Sequence, residues 1–398
     1  MTRVLLVGAT QAPSGLARVT RGLARALERG MDVHVLGLDC RRVGASPPGG
    51  GYVVHPNPEP ADLFGEGPLP GLCRRLRPDL LLVVQDPWYA ARIAGSTAGI
   101  PGVARIGYVP VDGRFVRPDL VADLTIFDAV VAPTEYGRAC LLDAAARLPG
   151  PPRWIAETSV IPHGIDVERF VPLAGAHAER RRAAKAALRP GSEDEPGALW
   201  ILNANRHQTR KRLDLTLQGF ARFAAGRPPG VKLVLHWGDE PGPWNLRGMI
   251  RALGIEARVI VTGTRDGLPD GALNRIYNAC EIGLNTALGE GWGLPAFEHA
   301  ATGAALVLPD NSVHRELWEG AASLLPIERR AAPGAVVEGG VCSIDGIVAA
   351  LEALADEPLR RERAGAAARA RALDPALSWA RGGDRWRALV DAALARAA

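Results

Sequence analysis

The 398-residue sequence predicts an α/β protein made of two doubly wound domains, each a parallel sheet covered by helices on both faces. Three observations predict it. Short, continuous apolar runs alternate with amphipathic arginine/alanine stretches, the pattern of strands buried on both faces. The alternation stops in a polar segment and then restarts, which divides the chain in two. Length agrees, since a single core rarely grows to this size.

The first series of strands is expected at "RVLLVG" (3–8), "DVHVLG" (32–37), "DLLLVVQ" (79–85), "AVVAP" (129–133) and "TSVIP" (158–162). The helix after the first strand places Leu16, Val19, Leu23 and Leu27 on one face. Residues 43–71, rich in Gly and Pro, read as a long surface loop. The stretch 177–197, charged and closed by Pro and Gly, reads as an exposed, linker-like insertion. The acidic run Glu193-Asp194-Glu195 within it reads as a solvated face. The second series follows at "ALWILN" (198–203), "KLVLHWG" (232–238), "RVIVTG" (258–263), "EIGLNT" (281–286) and "AALVLP" (304–309). Two such domains facing each other would enclose a deep cleft, because open parallel sheets bind ligands beyond the carboxyl ends of their strands.

Composition narrows the function classes. Hydrophobic content of 47% and charged content of 23% are those of a globular protein. A net charge of +4 suits a small anionic ligand or an anionic surface but is too weak for nucleic acid, and no nucleic-acid motif accompanies it. The five cysteines are scattered, without CxxC, so neither a disulfide framework nor a zinc site is expected and a reducing cytoplasm fits. The N-terminus reads as a first buried strand rather than a signal peptide. P-loop, GxGxxG and GxSxG signatures are missing, as is a carboxylate pair placed to hold a metal.

Two stretches carry chemistry. In "NANRHQTRKRLDLTLQGFARF" (203–223) a strand ends near Asn203 and a helix is expected to start near Arg210 or Lys211, so Arg206, Arg210, Lys211 and Arg212 crowd a helix N-terminus. Cations there oppose the backbone dipole, and Asp214 offsets only part of the repulsion. An incoming phosphate would reverse it. A plain surface cluster in an arginine-rich chain is the competing account.

The second stretch is "NTALGEGWGLPAFEHA" (285–300). Glu290 falls in a glycine-rich turn beyond a strand, and Glu298 in the first turn of a helix that Pro295 begins. A capping-box role for Glu298 would need Ser or Thr at 295, where Pro stands. The glycines at 289, 291 and 293 let main-chain groups approach a ligand, and two carboxylates can accept hydrogen bonds from sugar hydroxyls. An anion site beside hydroxyl acceptors suits a nucleotide sugar.

These stretches resemble the GT-B fold glycosyltransferases of family 4, which are retaining and use nucleotide sugars. "EGWGLPAFE" looks like the family's E-x7-E motif, and Arg206 and Lys211 match its Arg and Lys pair. "VIPHGIDVERFVPL" (160–173) is similar to its interdomain crossover, and "FDAVVAPTEYGRACLL" (127–142) to the unit before it. The resemblance implies an acceptor-side domain at 1–172 completed by a C-terminal helix at about 380–398, and a donor-binding domain at 173–379. Residues around Trp379 and Trp386 would pack back toward the first domain. Arg206 and Lys211 would hold the donor diphosphate, Glu290 the hydroxyls of the transferred sugar, and Glu298 those of the ribose. Main-chain groups of Gly291, Trp292, Gly293 and Leu294 would line the donor pocket. Ser14 and Gly15 would lie near the donor phosphates, where this chain has one glycine and many members have two.

Many members carry a histidine at the end of the fourth strand. Here the stretch is "RIGYVPVDG" (105–113), with Tyr108 and Asp112 as the acceptor-side polar residues. The implied activity is hexosyl transfer to a glycan, lipid-linked or small-molecule hydroxyl with no cofactor and no metal. An epimerase or phosphorylase on the same fold, or a binding protein without turnover, are the rival readings. Arg18, Arg21, Arg25 and Arg29 with Arg74, Arg75 and Arg77 make a candidate basic face for the inner membrane surface, against plain solvation.

Overall fold

The structure is a computed structural model and describes residues 1–42, 51–150, 152–237, 242–263 and 267–397. The chain forms two compact units, Met1–Gly164 with Pro375–Ala398, and Ile165–Asp374.

The first unit carries strands β1 (Arg3–Gly8), β2 (Asp32–Gly37), β3 (Val53–Pro56), β4 (Leu80–Val84), β5 (Ala104–Tyr108), β6 (Ala129–Ala132) and β7 (Thr158–Val160). They lie in the order β3-β2-β1-β4-β5-β6-β7, all parallel, so the order reverses between β1 and β4. The apolar runs explain the centre of this sheet: Val4 to Val7 and Leu80 to Val84 are fully buried. Helices α1 (Gly15–Leu27), α2 (Pro68–Leu76), α3 (Pro87–Gly95) and α4 (Glu135–Ala146) connect the strands. Of the expected α1 face, Val19, Leu23 and Leu27 are buried, and Leu16 is half-buried. Part of the expected 43–71 loop, residues 43–50, lies outside the described residues; of the remainder, 53–56 form β3 and 68–71 begin α2, while 57–67 are turns and irregular chain.

The second unit repeats the plan with β8 (Leu199–Asn203), β9 (Val231–His236), β10 (Val259–Thr262), β11 (Ile282–Leu284), β12 (Ala305–Pro309) and β13 (Ser323–Leu325). Their order is β10-β9-β8-β11-β12-β13, again parallel, with the reversal between β8 and β11. An antiparallel hairpin, β14 (Ile327–Ala331) and β15 (Val337–Cys342), follows. Helices α5 (His177–Leu188), α6 (Leu213–Ala224), α7 (Leu246–Ala252), α8 (Asp270–Ala279), α9 (Leu294–Ala301), α10 (Ser312–Trp318), α11 (Ile344–Asp356) and α12 (Pro358–Ala372) complete it. Leu217 and Phe220 of α6, Leu233 and Leu235 of β9, and Ile347 and Leu351 of α11 share one core. Each such side chain contributes roughly 1.5–3 kcal/mol by burial.

The linker expected at 177–197 is instead α5 and a short 3₁₀ turn, Ser192–Asp194. Among the described residues of α5, the buried side chains beside Ala184 are the charged Arg181 and Lys185. Arg181 donates to the carbonyls of Cys280 (2.5 Å) and Asn278 (3.2 Å), and Lys185 Nζ lies 2.6 Å from Glu281 and 2.8 Å from the Ala198 carbonyl. In the acidic run, Asp194 pairs with Arg182 and Glu195 with Lys232 at 2.7 Å.

The last helix, α13 (Trp379–Ala397), returns to the first unit. A Cβ on Gly22 or Gly164 would stand 2.2 Å from the Trp379 ring, so both positions must be glycine for that ring to seat. Trp386 packs edge-on against Tyr108 at 4.8 Å, and Arg387 donates to the Ala26 carbonyl at 3.1 Å.

Candidate functional site

The order reversal in the second sheet puts the carboxyl ends of β8 and β11 side by side, which is where α/β sheets bind ligands. Both chemical stretches begin at these two strand ends. The chain leaving β8 does not enter a helix at Arg210. Thr209–Lys211 form a 3₁₀ turn, Arg212 is left-handed (φ 50°), and α6 starts only at Leu213. This correction frees Lys211 and Arg210 from the helix. Arg212 instead pairs with Asp214, at 2.7 and 2.9 Å.

The chain leaving β11 forms the glycine turn. Gly293 has φ 85°, which favours glycine, and α9 follows with Pro295 in its opening positions. Trp292 turns inward and stacks on Phe297 at 5.2 Å, which in turn meets Trp318 at 4.5 Å. This anchor holds the turn's path. Counted from Leu294, Glu298 stands fifth, past the first turn where it was expected, and α9 has no acidic residue in that turn.

The two loops meet at Glu290. Its carboxylate accepts from Lys211 Nζ, from Arg210 Nη1 at 3.1 Å and from Asn285 Nδ2 at 3.3 Å. Arg210 also donates to the Gly289 carbonyl at 3.1 Å. Glu290 is 4% exposed and Lys211 8%. Burial by itself pushes the Glu290 carboxyl upward, but the adjacent Lys211 and Arg210 charges outweigh it and hold it well below the usual carboxylate range. Glu290 is therefore ionised, and among the described residues it faces the two cations Lys211 and Arg210.

Behind the cluster runs a polar chain that the sequence does not announce. Asn205 donates to Asn203 (2.9 Å), Asn203 to Thr216 (2.8 Å), and Thr216 shares a hydrogen bond with Thr286 (2.7 Å). Thr286 also reaches the carbonyls of Lys211 (3.2 Å) and Arg212 (2.8 Å). Buried and mutually satisfied, these groups fix one loop against the other. A third support comes from the start of α10. Ser312 Oγ accepts from the Glu290 N–H at 3.3 Å, and Asn311 donates to the Leu288 carbonyl at 2.8 Å.

Glu298 lies apart from Glu290's partners. Its Oε2 accepts from Tyr277 Oη at 2.7 Å, and Tyr277 stacks on His299 with centroids 5.3 Å apart. Tyr277, His299, Pro295, Asn205 and Asn285 line a recess between the ends of β8 and β11. Asn285 links the two halves, since it borders the recess and contacts Glu290. The ion cluster itself does not line the recess; the chemistry lies beside it.

Of the sequence candidates, the structure brings together Lys211, Glu290 and the turn 291–294, with Arg210 added. Arg206 is exposed and donates to none of them. Glu298 stands apart on Tyr277, and the remaining candidates belong to the first unit. Ser14 caps α1, accepting from the Ala17 N–H at 3.3 Å, with Gly15 as the first helical residue. Tyr108 is fully buried; its hydroxyl lies 2.8 Å from the Ile161 carbonyl and 2.5 Å from His163 Nδ1. That geometry makes it a strut for the crossover strand. Asp112 is half-buried in the loop after β5. Asn203, Asn205, Tyr277, Thr286, Asn311 and Ser312 were missed; only the position of Asn203 at a strand end and Asn285-Thr286 before the turn were signals.

Residues 231–386 match the family model described as Glycosyl transferase-like. No curated protein matches the chain. The structure is similar to sucrose-phosphate synthase from Thermosynechococcus elongatus, with a TM-score of 0.73 and 16% identity over 100% of both chains. It is similar to α,α-trehalose 6-phosphate synthase from Burkholderia multivorans, with a TM-score of 0.68 and 15% identity over 100% of both chains. It also resembles the Anabaena protein HepE in complex with UDP and glucose, with a TM-score of 0.71 and 15% identity over 98% of this chain and 100% of the other. At these identities the likeness is one of fold. Two parallel-sheet, Rossmann-like domains of the GT-B type are what the sequence predicted and what the chain has.

Proposed function

We propose that the protein is a retaining glycosyltransferase of family 4 type, moving a hexose from a nucleotide sugar to an acceptor hydroxyl without a metal ion. One observation carries the reading: Lys211 and Arg210 converge on Glu290 at the order reversal of the second sheet. The family description over 231–386 and the UDP-glucose complex of HepE support it.

In this reading the donor diphosphate lies against Arg210 and Lys211, with Arg206 reaching in from the exposed rim. These cations stabilise the charge that grows on the leaving phosphate as the glycosidic bond breaks. They take the place a divalent ion would otherwise fill. Glu290, displaced from Lys211 by the phosphate, turns to hydroxyls of the transferred sugar, and Glu298 with Tyr277 holds the ribose. Glu290 and Glu298 are then the two ends of the E-x7-E motif. Main-chain groups of 291–294 line the donor site. The acceptor oxygen attacks from the face the phosphate leaves, so configuration is retained and its proton passes to the departing phosphate oxygen. Ser14 and Gly15 approach the donor phosphates, and Tyr108 and Asp112 belong to the acceptor side.

A thermal-shift series with UDP-, GDP- and ADP-sugars identifies the base, because a bound ligand raises stability with its affinity. Anomeric analysis of the product tests retention, and an inverted product overturns it. Product formed without acceptor would mean an epimerase, dependence on inorganic phosphate a phosphorylase, and binding without turnover a carrier.

A further inference from the structure

His314 is fully buried, and neither ring nitrogen has a hydrogen-bond partner among the described residues. A buried imidazole left this way costs about 1–3 kcal/mol, and an apolar residue of similar size would avoid it. Its position suggests what meets that cost. A Cβ placed on Gly293 would lie 3.6 Å from His314 Nε2 and 4.0 Å from Glu290 Cγ. The missing side chain thus leaves a gap bordered by the imidazole and by the stem of Glu290.

The segment bearing His314 is held against that turn. Ser312, two residues earlier, keeps a left-handed backbone (φ 46°) unusual for a residue other than glycine, while its hydroxyl receives the Glu290 N–H. Burial also pushes the imidazole down to about 4, so the ring is neutral near pH 7 and offers one donor and one acceptor. A neutral ring beside an ionised carboxylate is matched to a hydroxyl and poorly matched to a phosphate.

We propose that His314 Nε2 hydrogen-bonds a hydroxyl of the transferred sugar, which enters the gap over Gly293 as Glu290 leaves Lys211. His314 is then a specificity-determining residue of the donor site. This rests on the transferase reading above.

The test compares UDP with UDP-glucose by calorimetric titration of the full chain and of two variants, His314→Leu and His314→Gln. UDP-glucose should bind the native chain more tightly than UDP. His314→Leu should lose about tenfold of the UDP-glucose affinity, the worth of one good hydrogen bond, and leave UDP unchanged. His314→Gln, which keeps a polar group, should recover part of the loss. Equal affinities in His314→Leu and the native chain, or an equal loss for both ligands, would overturn the proposal. Should the leucine variant not fold, ¹⁵N NMR of the native ring carries the test: its signals should move with UDP-glucose and stay put with UDP. A native chain that binds neither ligand overturns the transferase reading itself, a separate outcome.

Discussion

The two sheets share a topology, and in each the loop after the central strand meets a carboxylate of the chain itself. In the first unit that carboxylate is Asp39. It accepts from the N–H groups of Thr10 (2.6 Å), Gln11 (3.0 Å) and Ala12 (2.6 Å). In the second it is Glu290, held by the side chains of Lys211 and Arg210. Backbone donors cannot turn away, so Asp39 occupies these N–H groups of the first loop. Side-chain cations can exchange one anion for another, and they outnumber the carboxylate they hold. The same position in one fold is thus held by backbone donors in one unit and by side-chain cations in the other.

The largest effect that could break this comparison is Lys211→Ala. If the second loop stabilises a leaving phosphate, kcat/KM should fall on the order of 100- to 1,000-fold. Loss of a buried pair's partner should also cost about 3–5 kcal/mol in denaturant melts. Activity within a few fold of native would place the phosphate elsewhere.

Acid should separate the units next. Burial pushes His163 of the first unit and His299 of the second to about 3, and His314 of the second to about 4. Between those values and the unfolded value near 6.5 the unfolded chain binds more protons, so stability falls as pH falls. The loss by pH 5 should be on the order of 1–2 kcal/mol per histidine, larger in the second unit, which holds two of the three. Glu290, held below the usual carboxylate range, stays ionised throughout this window. Melts between pH 7 and 5 that show no slope would contradict the neutral, buried state of these rings.

Asp39→Asn should destabilise the first unit by about 1–3 kcal/mol, since an amide cannot accept from all of those N–H groups. Nucleotide affinity, read by titration, should not change; a large change would make the two loops one site. The smallest expected effect on stability is that of Gly293→Ala. Its Cβ meets only ordinary contacts, so the left-handed backbone alone should cost about 1 kcal/mol in a chemical melt.

The parts of this fold legible in the sequence are those with local signatures. Continuous apolar runs marked β1, β2, β4, β6, β8, β9 and β12, since strands buried on both faces need no alternation. α5 was illegible because it docks through Arg181 and Lys185, which apolar periodicity counts as solvent-facing. The hairpin strand β14, "IERRA", is too charged to be read as a strand. At the site, the glycine turn and the basic loop were readable because each is contiguous. The Asn203–Thr216–Thr286 chain joins positions far apart in sequence, and ordinary amides and hydroxyls carry no mark of their partners.

The Trp379 ring seated over Gly22 and Gly164 has a consequence for biogenesis. Translation delivers residues 1–164 first, but α13, which completes their packing, is made only after the whole second unit. On the ribosome the first unit waits with its groove for Trp379 and Trp386 open, while residues 165–374 can close their own core. The packing of the first unit is therefore completed only after the whole second unit has been synthesised.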